Sequence, residues 1–310
     1  MTAARGTARY EEPQFLPWDG RRVPITFVGG YLGAGKTTAI NDVLHQADRP
    51  IAVIVNEVGS IDVDAALVRR RHGDTIELID GCICCSSIDG LGAAFDQIRA
   101  RPVPPDHVIV ELSGVAEPAR MLPWGRSAGF VLDGLVIVVA ADQLEVGALP
   151  ERIQEHLRSQ LAAADLVVLT KTDLVDDAGV AARAAVAAMA PSIPVFEGGR
   201  DRVGPGAVGR FLALGGRRPG GVTAMPAATL FDAHDVQVLP FPDQLERAGL
   251  ERWLMALPVT GRVVRAKGIV ATVDAGLVLV QVVGNRCEIT PVPLPELEPA
   301  TDLVVISLRE

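Results

Sequence analysis

Apolar residues fall along the first two thirds of this chain in short unbroken runs. Runs at 23–28, 51–55, 75–79, 107–112, 134–140 and 165–170, with a shorter one at 193–196, are largely apolar, as strands buried on both faces require. Between most of them lie helix-compatible stretches at 35–46, 86–100, 150–163 and 178–190. This alternation predicts an α/β fold: a mainly parallel sheet with helices on both faces and ligand loops at the carboxyl ends of the strands.

The pattern then changes. Residues 201–222 are rich in Gly, Arg and Pro and read as a linker. Residues 243–257, "DQLERAGLERWLMAL", place Leu245, Leu250, Trp253, Leu254 and Leu257 largely on one helix face. Strand-like runs follow at 262–266, 268–273, 276–283, 286–292 and 302–308. The predicted organisation is an N-terminal tail (1–22), a large α/β domain (23–200), the linker, and a small α+β domain (223–310).

Composition narrows the partners. The formal charge is −9, and the only basic block is "RRRH" at 69–72, which argues against nucleic acid. No run approaches the roughly 18 apolar residues of a membrane span. The first twenty residues lack the apolar segment of a secretory signal. The expected setting is therefore the cytoplasm, where cysteines stay reduced. Only three lysines stand among 29 basic residues: Lys36, Lys171 and Lys267. In a chain that otherwise uses Arg, a lysine marks positions where a compact ammonium or its bare stem is wanted.

Lys36 lies in "VPITFVGGYLGAGKTTAI" (23–40), a strand, a glycine loop and a helix start. Gly30-x-x-x-x-Gly35-Lys36-Thr37 is the phosphate-loop pattern in its required context. Backbone N–H groups of Gly30, Gly33, Ala34 and Gly35 would turn toward the β-phosphate, with the helix start at Lys36, Thr37 and Thr38 adding its dipole. Lys36 would reach the β- and γ-phosphates, facing solvent without nucleotide, and Thr37 would offer its hydroxyl to Mg²⁺. Further on, "VIVELSGVAEP" (108–118) ends a strand in Glu111-x-x-Gly114. There a carboxylate can hold Mg²⁺ or its water, and the Gly114 N–H can sense the γ-phosphate.

Lys171 lies in "LTKTDL" (169–174). Phosphate-loop GTPases read the base with Asn-Lys-x-Asp at such a strand end. The Asp173 carboxylate can accept from guanine N1–H and N2–H₂, the Lys171 stem would lie on the base, and Thr170 replaces the usual Asn. Adenine would leave Asp173 unpaired.

The remaining motif is "DGCICCSS" (80–87), which gathers three of the four cysteines. Cys82, Cys84 and Cys85 converge only if the chain leaves strand geometry. As thiolates they form a soft set for Zn²⁺ or Cu(I), with zinc the default and cobalt and iron as alternatives, and three protein ligands suit a releasable metal. Glu57, water or a client's ligand would complete the tetrahedron. The rival readings are a thiol-redox-regulated nucleotide-binding module, or a phosphate-loop kinase or ligase acting on a small substrate. Cys287, amid strand residues, reads as a small buried hydrophobe.

Taken together, "GGYLGAGKTT", "VIVNEVGSIDVD", "GCICCS", "VIVELSGVAEP", "LTKTDL" and "GRVVRAKGIV" resemble the CobW-type metallochaperone GTPases, relatives of the nickel-insertion GTPases of the urease and hydrogenase systems. The resemblance covers residues 23–308. It implies a GTPase of the dimer-forming class, slow GTP hydrolysis with Lys36, Glu57, Glu111 and Gly114 at the reacting phosphates, and metal delivery to a client metalloprotein. It also implies that Thr170 is an accepted variant, and it matches Lys267 to an Arg-x-Lys-Gly signature without assigning it a role. Two features depart from the family: no His-rich loop is present, and Val55 stands where several members carry a Glu.

Overall fold

The computed structural model describes residues 17–55, 76–78, 88–145, 149–198, 207–215, 234–242, 245–257, 259, 262–283, 286–292 and 302–308. Glu57, Cys82, Cys84 and Cys85 lie outside the described residues.

Seven strands form one parallel sheet in the order β3-β2-β4-β1-β5-β6-β7. They are β1 (Val23–Gly29), β2 (Ile51–Val55), β3 (Ile76–Leu78), β4 (His107–Glu111), β5 (Phe130–Ala140), β6 (Leu166–Thr170) and β7 (Val195–Glu197). The unbroken apolar runs have the expected cause. In β1, Val23, Ile25 and Phe27 join the core on one face, while Val28 joins the core on the other. Helices α1 (Lys36–Gln46), α2 (Ile88–Arg99), α4 (Glu151–Ala163) and α5 (Val180–Met189) fall at the expected places, and a short α3 (Pro118–Met121) follows β4.

Strand β5 starts at Phe130, four residues before its expected start, because Asp133 interrupts the apolar pattern without interrupting the strand. Its carboxylate accepts from Thr26 Oγ1 and from the N–H groups of Leu214 and Gly215, so a buried charge is satisfied in place. Within the stretch expected as a linker, α6 (Ala207–Phe211) packs on α1, and Phe211 is fully buried.

The C-terminal unit is an antiparallel sheet in the order β11-β10-β9-β12-β8 with helix α7 (Arg247–Met255) on one face. Its strands are β8 (His234–Pro240), β9 (Val263–Thr272), β10 (Gly276–Val283), β11 (Arg286–Pro291) and β12 (Asp302–Leu308). The two runs expected at 262–266 and 268–273 form the single strand β9. Gly268 reads as a break but sits mid-ladder opposite Val280. Leu250 and Leu254 of α7 pack on Ala266, Val270, Val278, Val280, Val282 and Ile289. Cys287 is half-buried beside this core rather than fully buried, and burial pushes its thiol up.

Candidate nucleotide site

Strand β1 runs between β4 and β5, so successive connections diverge at its carboxyl end and open a crevice there. The loop 30–35 enters this crevice. Lys36 begins α1, and its ammonium turns back: Nζ donates to Gly30 O at 3.0 Å and Tyr31 O at 3.3 Å, leaving the residue 5% exposed. The expectation of a solvent-facing Lys36 is therefore corrected. A buried ammonium needs acceptors, and the loop's own carbonyls are the nearest.

Thr37 Oγ1 donates to the Glu111 carboxylate, at 3.0 Å to Oε1 and 3.2 Å to Oε2. Glu111 ends β4 and is 1% exposed. A hydroxyl and a carboxylate side by side are hard oxygen donors, a set that fits Mg²⁺. Three residues on, Gly114 meets the phosphate loop so closely that an added Cβ would fall 2.6 Å from Leu32 N. No side chain fits there, and the loop after β4 is held against the phosphate loop through backbone.

At the end of β6, Thr170 Oγ1 donates to Ala34 O at 2.7 Å. Thr170 thus ties the end of β6 to the phosphate loop. Lys171 follows in the left-handed region, φ +56°. Burial lowers its ammonium pKa, Asp142 and Glu288 oppose the shift, and Arg286 and Arg265 reinforce it. Asp173 is exposed in the turn Thr172–Leu174, whose other two residues are half-buried.

Gly33, Gly35, Lys36, Thr37, Thr38, Glu111 and Lys171 line one cavity of about 360 Å³. Gly30, Ala34 and Thr170 are tied to its wall by the bonds above, Gly114 lies against Leu32, and Asp173 stands outside the lining. Among the described residues no group of three His, Cys, Asp or Glu side chains could hold a metal ion. None of their helices is long and apolar enough to cross a membrane.

The expected set omitted half of this cavity. Its second wall is the C-terminal sheet, through Arg265, Lys267, Gln281, Val283 and Arg286. Contacts from several elements seat that sheet. Val283 lies on Gly33, Arg286 Nη1 meets Asp142 Oδ2 at 2.8 Å, and Tyr31 Oη and His234 Nε2 share a hydrogen bond of 2.9 Å. The available signal was the alternation of polar and apolar residues in β9–β11, which leaves a charged face opposite the one covered by α7.

The family model "CobW/HypB/UreG, nucleotide-binding domain" matches residues 24–197, and "Cobalamin synthesis protein cobW C-terminal domain" matches residues 236–310. The zinc chaperone CobW of a Sinorhizobium species is 37% identical over 191 residues, 52% of this chain and 54% of that protein. The zinc chaperone CobW of Pseudomonas aeruginosa is 32% identical over 240 residues, 66% of this chain and 64% of that protein. The zinc-regulated GTPase metalloprotein activator 1 of Saccharomyces cerevisiae is 29% identical over 184 residues, 50% of this chain and 42% of that protein. The matched region thus spans under two thirds of each of these relatives.

Proposed function

Because the chain belongs to the CobW/HypB/UreG family, we propose that it is a GTPase metallochaperone that carries zinc and hands it to a client metalloprotein in the cytoplasm. The observation that carries the nucleotide half is the Thr37–Glu111 hydrogen bond at 3.0 Å in the cavity of Lys36. It supports a reading in which Thr37, and Glu111 directly or through a water, would hold Mg²⁺ beside the ammonium that would meet the β- and γ-phosphates. Mg²⁺ would supply charge neutralisation on the triphosphate. The chain's own part is to position it: Lys36 by charge, Thr37 and Glu111 by their oxygens, Gly114 by its approach to the loop.

The metal half is supported by the thiol chemistry of Cys82, Cys84 and Cys85 and by relatives named zinc chaperones. In this reading zinc is cargo. Three thiolates bind it, and Glu57, water or the client completes the shell. The cysteines fall between Thr37 and Glu111 in the chain, so loops that respond to the γ-phosphate would also gather or release the thiolates. A nucleotide-dependent homodimer formed at the phosphate-loop edge would have to accommodate the C-terminal sheet seated there.

The test is reciprocal coupling. Zinc affinity, measured by chelator competition, should be higher with a non-hydrolysable GTP analogue than with GDP by about 5–150-fold. Cys82→Ser, Cys84→Ser and Cys85→Ser together should erase the tight site, and Cys287→Ser should not. A tight zinc site indifferent to the nucleotide would remove delivery from the proposal.

A further inference from the structure

The wall opposite the phosphate loop is one face of the C-terminal sheet. Residues 265 and 267 of β9 share that face by strand period. Register carries it across the sheet: Lys267 pairs with Gln281 and Arg265 with Val283 in β10, while Gln281 pairs with Glu288 and Val283 with Arg286 in β11. The intervening residues, Ala266, Val280, Val282 and Ile289, point to the core under α7. A small domain with a single helix normally leaves such a polar face in water. Here it closes the nucleotide cavity, and Lys267 is only 7% exposed.

Among the described residues that line the cavity, cations outnumber carboxylates: Arg265, Lys267 and Arg286 stand with Glu288 on this face, and Lys36 and Lys171 with Glu111 on the other, while Arg286 also pairs with Asp142. Cations collected in a partly dry cavity repel one another, and a polyanion between them turns that cost into attraction. The face is held in position by the phosphate loop itself. Tyr31 and Leu32 of that loop and Val115 of the loop after β4 share an apolar cluster with Val264 of β9 and Ile306 of β12.

We propose that Lys267, with Arg265 beside it, contacts the phosphates of the bound nucleotide from the C-terminal sheet, so that this domain is the second wall of the nucleotide site and favours more highly charged nucleotides. The Arg-x-Lys pair of "RAKG" (265–268) is then a phosphate-binding element supplied from within the same chain. The inference rests on the guanine-nucleotide reading above. It adds a link between nucleotide and domain seating, since a triphosphate would hold the sheet more firmly than a diphosphate.

The experiment titrates full-length protein with GMP, GDP and a non-hydrolysable GTP analogue, comparing wild type, Lys36→Ala, Lys267→Gln, Lys267→Arg and Gln281→Glu, with thermal unfolding of each. Lys267→Gln should weaken the GTP analogue by about tenfold, GDP by less and GMP least, and Lys267→Arg should restore most of the loss. Gln281→Glu places a negative charge beside Lys267 without removing it. It should give the same graded loss, so the outcome does not depend on Lys267→Gln folding. Equal losses for all three nucleotides, or unchanged binding by both Lys267→Gln and Gln281→Glu while Lys36→Ala is impaired, overturn the phosphate contact and leave the nucleotide reading standing. Failure of the wild type to bind any guanine nucleotide overturns both.

Discussion

Val283 of the C-terminal sheet rests on the bare backbone of Gly33 in the phosphate loop: a Cβ at Gly33 would lie 2.4 Å from Val283 Cγ1. Gly33 also has φ +74°, where a side chain is strained in any surroundings. Gly33→Ala therefore meets two penalties, one local and one across the domains. The local one is about 1–2 kcal/mol. Val283→Ala should relieve only the steric part. In urea unfolding the double variant should lose less stability than the sum of the singles, with a coupling of at least about 0.5 kcal/mol. Strict additivity would mean that the two side chains do not meet.

The hydroxyl of Thr170 does work that its place in the base-reading motif does not advertise. It donates to Ala34 O at 2.7 Å, and the residue is 8% exposed. Thr170→Val keeps the shape and strands a carbonyl of the phosphate loop. The expected cost is about 1–3 kcal/mol, read by chemical denaturation. Weakened binding of all guanine nucleotides should accompany it, because the loop loses its tether to β6. A variant with wild-type stability and affinity would show that the clamp is dispensable.

The parallel sheet was legible because its strands are buried on both faces and write themselves as unbroken apolar runs, and the phosphate loop because its glycines and Lys36 have no alternative use at that spacing. Other features were hidden for physical reasons. Asp133 looks like a strand breaker until Thr26, Leu214 and Gly215 are seen to satisfy it. Strand β8, "HDVQVLP", went unexpected because its polar residues read as loop, while its ladder among the described residues is made with β12 from far along the chain. Gly268 offered a false break in β9. The second wall of the cavity depends on how two domains meet, and a linear pattern carries no such information. Lys267, conspicuous by its rarity, could be noticed in the sequence and placed only in the fold.

Asp173 should decide the base, although it is exposed and stands outside the cavity lining that its neighbour Leu174 joins. A carboxylate that accepts from guanine N1–H and N2–H₂ is left unpaired by adenine. GTP should then outcompete ATP by at least about tenfold, or roughly 1.4 kcal/mol. Asp173→Asn should weaken GTP and improve xanthosine triphosphate, whose ring carbonyl can accept from the new amide. Equal competition by GTP and ATP for a fluorescent nucleotide would remove the role given to Asp173.

Two buried histidines should set the acid limit of stability. His107 is lowered to about 4, chiefly by burial, with Asp133 opposing and Arg49 reinforcing the shift. His156 is lowered to about 4 by burial and by His234. His107 Nε2 lies 2.8 Å from Thr26 Oγ1, and His156 Nε2 lies 2.8 Å from Gln160 Nε2, so each ring is held neutral inside the fold. The unfolded chain protonates both near the ordinary histidine value of about 6.5. Between about pH 6.5 and 4 the unfolded state thus binds more protons, and stability falls as pH drops, by at most about 1.4 kcal/mol per pH unit for each ring. Above about 6.5 neither state is charged and this dependence vanishes. Urea midpoints measured from pH 7 to pH 4 should fall with that profile, and His156→Gln, which keeps a polar side chain without the titration, should make the fall shallower, leaving the part due to His107. A midpoint constant from pH 7 to pH 5 would mean that the rings are protonated within the fold, contrary to their burial.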